Sequence, residues 1–183
     1  MLYGMKSKLF QGISGIVLEI GSGTGINLQY LPNNIGYIGL DPNIYSWNYL
    51  RDDLSGKLSK SRLILAHAEK IPLIDDEIDV VISTFVLCTV KDQKQALREI
   101  IRVLKPGGNL LFIEHVAAEE NTITRRLQHF FKSVWKIIDN GCDLERETEN
   151  NIRCAGFRQV DIRRFSLPVL SILSNHIMGK ATK

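Results

Sequence analysis

The sequence predicts an open α/β fold: one domain over residues 1–183, built on a mostly parallel sheet with helices on both faces. Three observations carry this. Short apolar runs of strand type alternate with segments of helical periodicity along the chain. The first run, Ile16-Val17-Leu18-Glu19-Ile20, drops into a loop with glycine at every second position, Gly21, Gly23 and Gly25. Chemistry-bearing residues follow the C-terminal ends of later runs, where open parallel sheets bind ligands.

Taken in order, residues 3–11 form a short amphipathic helix broken by Gly12, Ser14 and Gly15. After the glycine loop, Thr24 to Leu31 is a short helix stopped by Pro32. Tyr37–Leu40 is the second strand, Ile44–Leu54 a helix ended by Ser55-Gly56, and Leu63–Ala66 the third strand. Ile78–Ile82 is the fourth. Gln93–Leu104 is a helix with Ala96, Leu97, Ile100, Ile101, Val103 and Leu104 on its apolar face. Lys105-Pro106-Gly107-Gly108 ends it, and Asn109–Glu114 is a nearly continuous apolar strand covered on both faces. Thr122–Asp139 and Glu145–Ala155 are helices, the latter ended by Gly156. Phe157–Arg164 and Ile177–Thr182 bring the strands to seven. The crossovers between parallel strands are right-handed.

Composition narrows the function. With 183 residues, 44% hydrophobic and 23% charged, the chain is an ordinary globular domain. A net charge of +3, from 23 Lys and Arg against 20 Asp and Glu, is too small to argue for nucleic acid. Arg125-Arg126 and Arg163-Arg164 are solvated helix and strand faces. Cys88, Cys142 and Cys154 lack metal-ligand spacing; they read as reduced thiols of a cytoplasmic protein, and no metal is expected. Met1 to Gly15 has no long apolar core, so neither a signal peptide nor a membrane span is expected, which leaves peripheral association and the oligomeric state open.

The glycine loop lets a ligand approach the backbone closely. It is not the dinucleotide fingerprint, which needs glycine where Ile26 stands. Glu19, just before the loop, suits a cationic ligand better than a pyrophosphate. Asp41, followed by Pro42, can accept both hydroxyls of a ribose. Backbone groups at His67-Ala68-Glu69 suit the edge of an adenine, and Ser83-Thr84-Phe85 suit the far end of the same ligand. His115 ends the fifth strand and is the candidate base, because an imidazole exchanges protons near neutral pH. The helix at 122–139, with Phe130, Phe131 and Trp135, is expected to cover an apolar acceptor pocket edged by Gly141, Cys142 and Asp143.

The string E-x-G-x-G-x-G formed by Glu19, Gly21, Gly23 and Gly25 resembles the first motif of class I S-adenosylmethionine (SAM) methyltransferases. The runs VLEIGSGTG, GLDPN, AHAEKIPL, IDVVISTFVLCTVKD and LREIIRVLKPGGNLLFIEHV resemble that superfamily from end to end. The runs FVLCTVKDQ, EHVAAE, DNGCDLERET and NHIMGKATK resemble the methyltransferase-like 7 family, the alkyl thiol methyltransferases, and its bacterial relatives. The resemblance implies a Rossmann-like seven-stranded fold and SAM as methyl donor, with S-adenosylhomocysteine as product. It assigns Glu19, Gly21, Ser22, Gly23, Thr24, Gly25, Asp41, Pro42, His67, Ala68, Glu69, Ser83 and Thr84 to the cofactor. His67 replaces the acidic residue common at the adenine amino group, so Ala68 backbone can serve there instead. The implied acceptor is a small thiol. The alternatives are an oxygen, nitrogen or carbon acceptor such as a quinol or lipid, or a SAM-binding regulatory protein without turnover. Animal members of the family carry an N-terminal membrane-anchoring helix that this sequence does not show.

Overall fold

The computed structural model of the chain describes residues 1–46, 50, 61–138 and 141–183. Its strands are β1 (Ile16–Ile20), β2 (Gly36–Leu40), β3 (Ser61–Ile64), β4 (Ile78–Thr84), β5 (Leu104–His115), β6 (Gln159–Ser166) and β7 (Asn175–Thr182). They form one sheet in the order β3-β2-β1-β4-β5-β7-β6. The first five strands are parallel, and β7 runs antiparallel between β5 and β6. The strand order reverses between β1 and β4, and the side chains beyond the C-terminal ends of these strands meet in one cavity.

Successive side chains of a strand point to opposite faces, and both faces here are buried. Leu18, Ile38, Val81, Leu110 and Phe112 go to one core, and Val17, Tyr37, Val80, Ile82 and Leu111 go to the other. That double burial is why the strands read as continuous apolar runs. The first core is closed by α2 (Gln93–Val103), whose Ala96, Leu97, Ile100 and Val103 are buried. Asp92 caps α2 by accepting from the Gln95 amide at 2.9 Å. The second core takes Phe10, which ends α1 (Leu2–Leu9).

The sheet, its seven strands and its mixed direction match the expected fold, and three local expectations change. No α-helix forms over Thr24–Leu31. Gly23 and Gly25 take positive φ values of 51° and 83°, which an α-helix cannot contain. The chain turns by short-range bonds instead, Gly25 N–H to Ser22 O and Leu28 N–H to Gly25 O, both 2.9 Å, leaving a 3-10 turn at Leu28–Tyr30. Glu145–Ala155 is helical only over α4 (Thr148–Arg153), because Glu145 is drawn to Lys132 and His129. Leu104–Gly108 does not simply stop a helix: β5 begins at Leu104 opposite Ile78, and the register shifts before Val80. Of the helix expected at Ile44–Leu54, a 3-10 turn at Ile44–Ser46 and Leu50 are described; the remainder, Ser55, Gly56 and Asp139 lie outside the described residues.

Beneath the glycine loop lies a buried polar network. Glu19 is completely buried, accepting from Asn27 Nδ2 at 2.6 Å and from the Tyr37 hydroxyl. Asn27 also donates to Thr84 Oγ1 at 2.8 Å and accepts from Lys6 Nζ at 2.7 Å. Lys6, Asn27 and Glu19 together join α1, the loop, β1 and β2. Glu19 therefore does not face a ligand, contrary to the expectation from its position. Burial pushes its carboxyl up to about 7, against the opposing hydrogen bonds from Tyr37 and Asn27.

Two stability tests follow from these contacts. A Cβ on Gly179 of β7 would lie 2.1 Å from the Asp161 carbonyl oxygen and 2.8 Å from Phe112 Cζ. Gly179→Ala should therefore cost about 1–3 kcal/mol, read as a lower urea midpoint. The second test concerns Glu19. Its folded pKa lies above its ordinary value of 4.5, so the folded chain binds this proton more tightly than the unfolded chain does. The resulting stabilisation is full below that value and is lost as pH rises through about 7. Glu19→Gln should flatten the fall in urea midpoint between about pH 5 and about pH 8. An unchanged slope would mean that Glu19 titrates alike in both states.

Candidate active site

The cavity at the C-terminal edge of the sheet has a volume of about 770 Å³, within the range of small-molecule sites. Strand order makes it elongated: Asp41, His67 and Ala68 follow β2 and β3 at one end, while His115 and His176 mark β5 and β7 at the other. Between them lie Gly21 and the loop from Thr84 to Lys91.

At the β2 end, Asp41 is nearly buried. Its Oδ2 accepts the Gly23 amide at 2.9 Å and its Oδ1 accepts the Asn43 amide at 2.8 Å. Each carboxylate oxygen keeps lone-pair capacity for a further donor, such as a ligand hydroxyl. The carboxylate thus ties down the glycine loop, and the same residue lines the cavity. Leu40, Pro42 and Ala68 add apolar wall beside it.

The glycine loop splits by role. Gly21 lines the cavity; its φ is 60°, and a Cβ there would meet Val86 Cγ2 at 2.3 Å. Gly25 is required by packing, since a Cβ would meet Leu50 Cδ1 at 2.5 Å. Gly23 lends its amide to Asp41. The Ser22 hydroxyl is buried against Gly39, and Ser22, Gly23, Thr24 and Gly25 are not among the residues that line the cavity.

The loop after β4 is held from below. Glu114 is completely buried and accepts from Ser83 Oγ at 2.6 Å, the Val86 amide at 3.2 Å and the Cys88 amide at 3.4 Å. Burial raises its carboxyl to about 7. Ser83 thus serves Glu114 rather than the cavity, whereas Thr84 and Phe85 line it. Glu69 also lines the cavity, and its Oε1 accepts the Lys91 and Asp92 amides at 2.8 and 3.3 Å, pinning the far end of that loop. Phe85 holds φ at 59°, a left-handed conformation that costs a non-glycine residue about 1–2 kcal/mol.

At the β5 end, His115 is buried with its Nε2 3.1 Å from the Ile172 carbonyl oxygen. A carbonyl can only accept, so in the neutral ring Nε2 carries the proton and Nδ1 is the bare nitrogen. That Nδ1 is buried and has no hydrogen-bond partner. His176 lies opposite His115 in the β5–β7 register, with ring centroids 5.6 Å apart. Its Nδ1 is 2.9 Å from the Ser174 carbonyl oxygen, and burial pushes its pKa down, so the ring is held neutral. Cys88, Cys142, Leu167, Val169 and Leu173 complete this end of the cavity.

The acceptor expectations divide here. Cys142 lines the cavity, and Gly141 lies against Thr89 of its wall, with a built Cβ 3.4 Å from the Thr89 carbonyl oxygen. Phe130 and Trp135 do not line it. They belong to α3 (Ile123–Ile138), and Phe130 is 77% exposed. The helical spacing was legible, but not which face meets the protein: Gln128 is the residue buried against the body. His176 and the segment from Leu167 to Leu173 were not anticipated as site residues. The signal for His176 lay in the run NHIMGKATK, but only the antiparallel register brings it to His115.

Comparison with known proteins agrees with this geometry. A family model described as a methyltransferase domain matches residues 18–112. The human thiol S-methyltransferase TMT1B is 36% identical over 190 residues, covering 97% of this chain and 78% of the human protein. The ubiquinone/menaquinone biosynthesis C-methyltransferase UbiE of Vibrio vulnificus is 31% identical over 147 residues, covering 75% of this chain and 56% of that protein. A SAM-dependent methyltransferase from Thermotoga maritima superposes with a TM-score of 0.72 at 20% identity, over 100% of this chain and 89% of that one, which supports the fold alone. With a ligand-sized cavity, a cradled Asp41 and a family match over more than half its length, the chain belongs to the class I SAM-dependent methyltransferases, in the family of the thiol S-methyltransferases.

Proposed function

We propose that this enzyme methylates the sulfur of a small, largely apolar thiol. The observation that carries the reading is the lining beside His115 at the β5 end of the cavity, which is formed by Phe85, Cys88, Cys142, Leu173 and His176 and holds no acidic, lysine or arginine side chain. The name of its human relative, a thiol S-methyltransferase, points the same way. UbiE is the more distant relative, and an uncharged acceptor end also admits a quinol, which the acceptor test below separates.

When bound, SAM supplies a methyl group on a sulfonium that is already activated for displacement. The chain supplies position and a proton acceptor. Asp41 would accept the ribose hydroxyls of the bound cofactor and so help to align it, and alignment of reacting groups is worth ~7–11 kcal/mol. His115 would take the S–H proton of the acceptor as its sulfur bonds to the methyl carbon and the carbon–sulfonium bond breaks, leaving S-adenosylhomocysteine, while its Nε2–H stays on the Ile172 carbonyl. His176, held neutral by burial, adds no competing charge beside the resulting imidazolium.

Two measurements test the roles. Asp41→Ala should weaken SAM binding by about 2 kcal/mol, roughly 30-fold, in calorimetry. Unchanged affinity in a folded variant would remove the ribose assignment. His115→Ala should lower thiol turnover roughly a hundredfold at neutral pH while leaving SAM affinity near wild type. The deficit should shrink as pH rises toward the thiol pKa of about 8.5, where solvent removes the proton unaided. Assayed across thiols, phenols, amines and quinols, the wild-type enzyme should prefer thiols; a preference for another acceptor with thiols inert would overturn the reading.

A further inference from the structure

Helix α3 is amphipathic, and it is mounted in the opposite sense to a helix that covers a protein core. Ile123, Phe130, Phe131, Val134, Ile137 and Ile138 fall within an arc of about 120° at 3.6 residues per turn. All six are exposed, with Ile123 at 76%, Phe130 at 77% and Ile137 at 84%. The polar side meets the body instead. Gln128 is fully buried; its Nε2 donates to the Ile172 carbonyl at 2.9 Å and its Oε1 accepts the Ala118 amide at 2.8 Å. Lys132 pairs with Glu145 at 3.1 Å, His129 meets Glu145 at 3.1 Å, and Arg125 pairs with Glu147 at 3.5 Å. A stripe this wide ordinarily faces a core. Here, among the described residues, it is displayed outward, and apolar faces of this kind mark binding surfaces.

Charge selects the occupant. Residues 123–138 hold four cations, Arg125, Arg126, Lys132 and Lys136, and no acidic residue. Arg125 and Lys132 serve the body, while Arg126 and Lys136 are exposed. A second copy docked on this face would bring two cationic helices together. An anionic lipid surface takes both features at once: the apolar side enters the headgroup–acyl boundary, and the basic side chains stay at headgroup level. Position agrees. The turn Ser171–Leu173 packs on α3 and supplies Leu173 to the cavity wall, and just before it Val169, which also lines the cavity, and Leu170 are exposed. No helix among the described residues is long and apolar enough to cross a membrane, so the contact is with the surface.

We propose that α3 docks this protein on an anionic lipid surface, with Phe130, Val134 and Ile137 entering the boundary and Arg126 and Lys136 meeting the headgroups. The test is flotation with two vesicle preparations, pure phosphatidylcholine and phosphatidylcholine containing about one-third phosphatidylglycerol. The wild-type protein should float with the anionic vesicles and lose most of that binding in high salt. The double variant Phe130→Asp, Ile137→Asp should reduce the bound fraction about tenfold or more with unchanged thermal unfolding, because both side chains are exposed. Arg126→Glu with Lys136→Glu should reduce binding to the anionic vesicles. Failure of the wild type to float with either preparation would overturn the proposal, as would wild-type binding by the double aspartate variant. A wild-type dimer that this variant splits, without vesicle binding by the wild type, would assign the face to self-association instead.

Discussion

The carboxylate of Glu19 is the interaction on which the cofactor end of this structure depends. It sits on β1 in the middle of the sheet, where water cannot reach it, and is satisfied by Asn27 and Tyr37. Asn27 passes the connection to Lys6 of α1 and to Thr84 at the cavity wall. A buried carboxylate that lost these donors would bear its full desolvation penalty. The glycine loop can therefore be short and non-helical without being loose: its underside is held by side chains, and its upper side by Asp41. A second buried carboxylate, Glu114, does the same for the loop after β4. The two loops that shape the cavity each rest on one buried acidic residue of the sheet.

Much of the frame was legible in the sequence, because double burial turns a strand into a continuous apolar run and period-3.6 patterning sets out a helix such as Gln93–Val103. The positions of Asp41, His67, Ala68 and His115 along one cavity followed from the rule that ligands sit at strand C-termini. What stayed hidden was direction. Glu19 looks like a ligand residue in sequence, yet its side chain, like that of Glu114, turns inward to satisfy side-chain or backbone donors. In α3 the apolar stripe was plain, but periodicity gives a stripe without saying which side the protein takes. The buried contact is made by Gln128, a residue type that pattern analysis assigns to solvent. His176 was hidden for a different reason: a partner across an antiparallel ladder is set by register, and the last connection, with its turn at Ser171–Leu173, sets that register out of reach of any local signal.

The Ile172 carbonyl oxygen has two lone pairs, and two side chains from different parts of the molecule use them: Gln128 of α3 and His115 of β5. Two donors on one oxygen compete, since each withdraws electron density that the other would use. A shift of α3 that lengthens the Gln128 contact therefore strengthens the acceptor that His115 sees. Linkage runs both ways: a firmer His115 contact loosens the hold on Gln128. One main-chain atom thus couples the seating of a surface helix to the hold on a buried imidazole, with no change in fold.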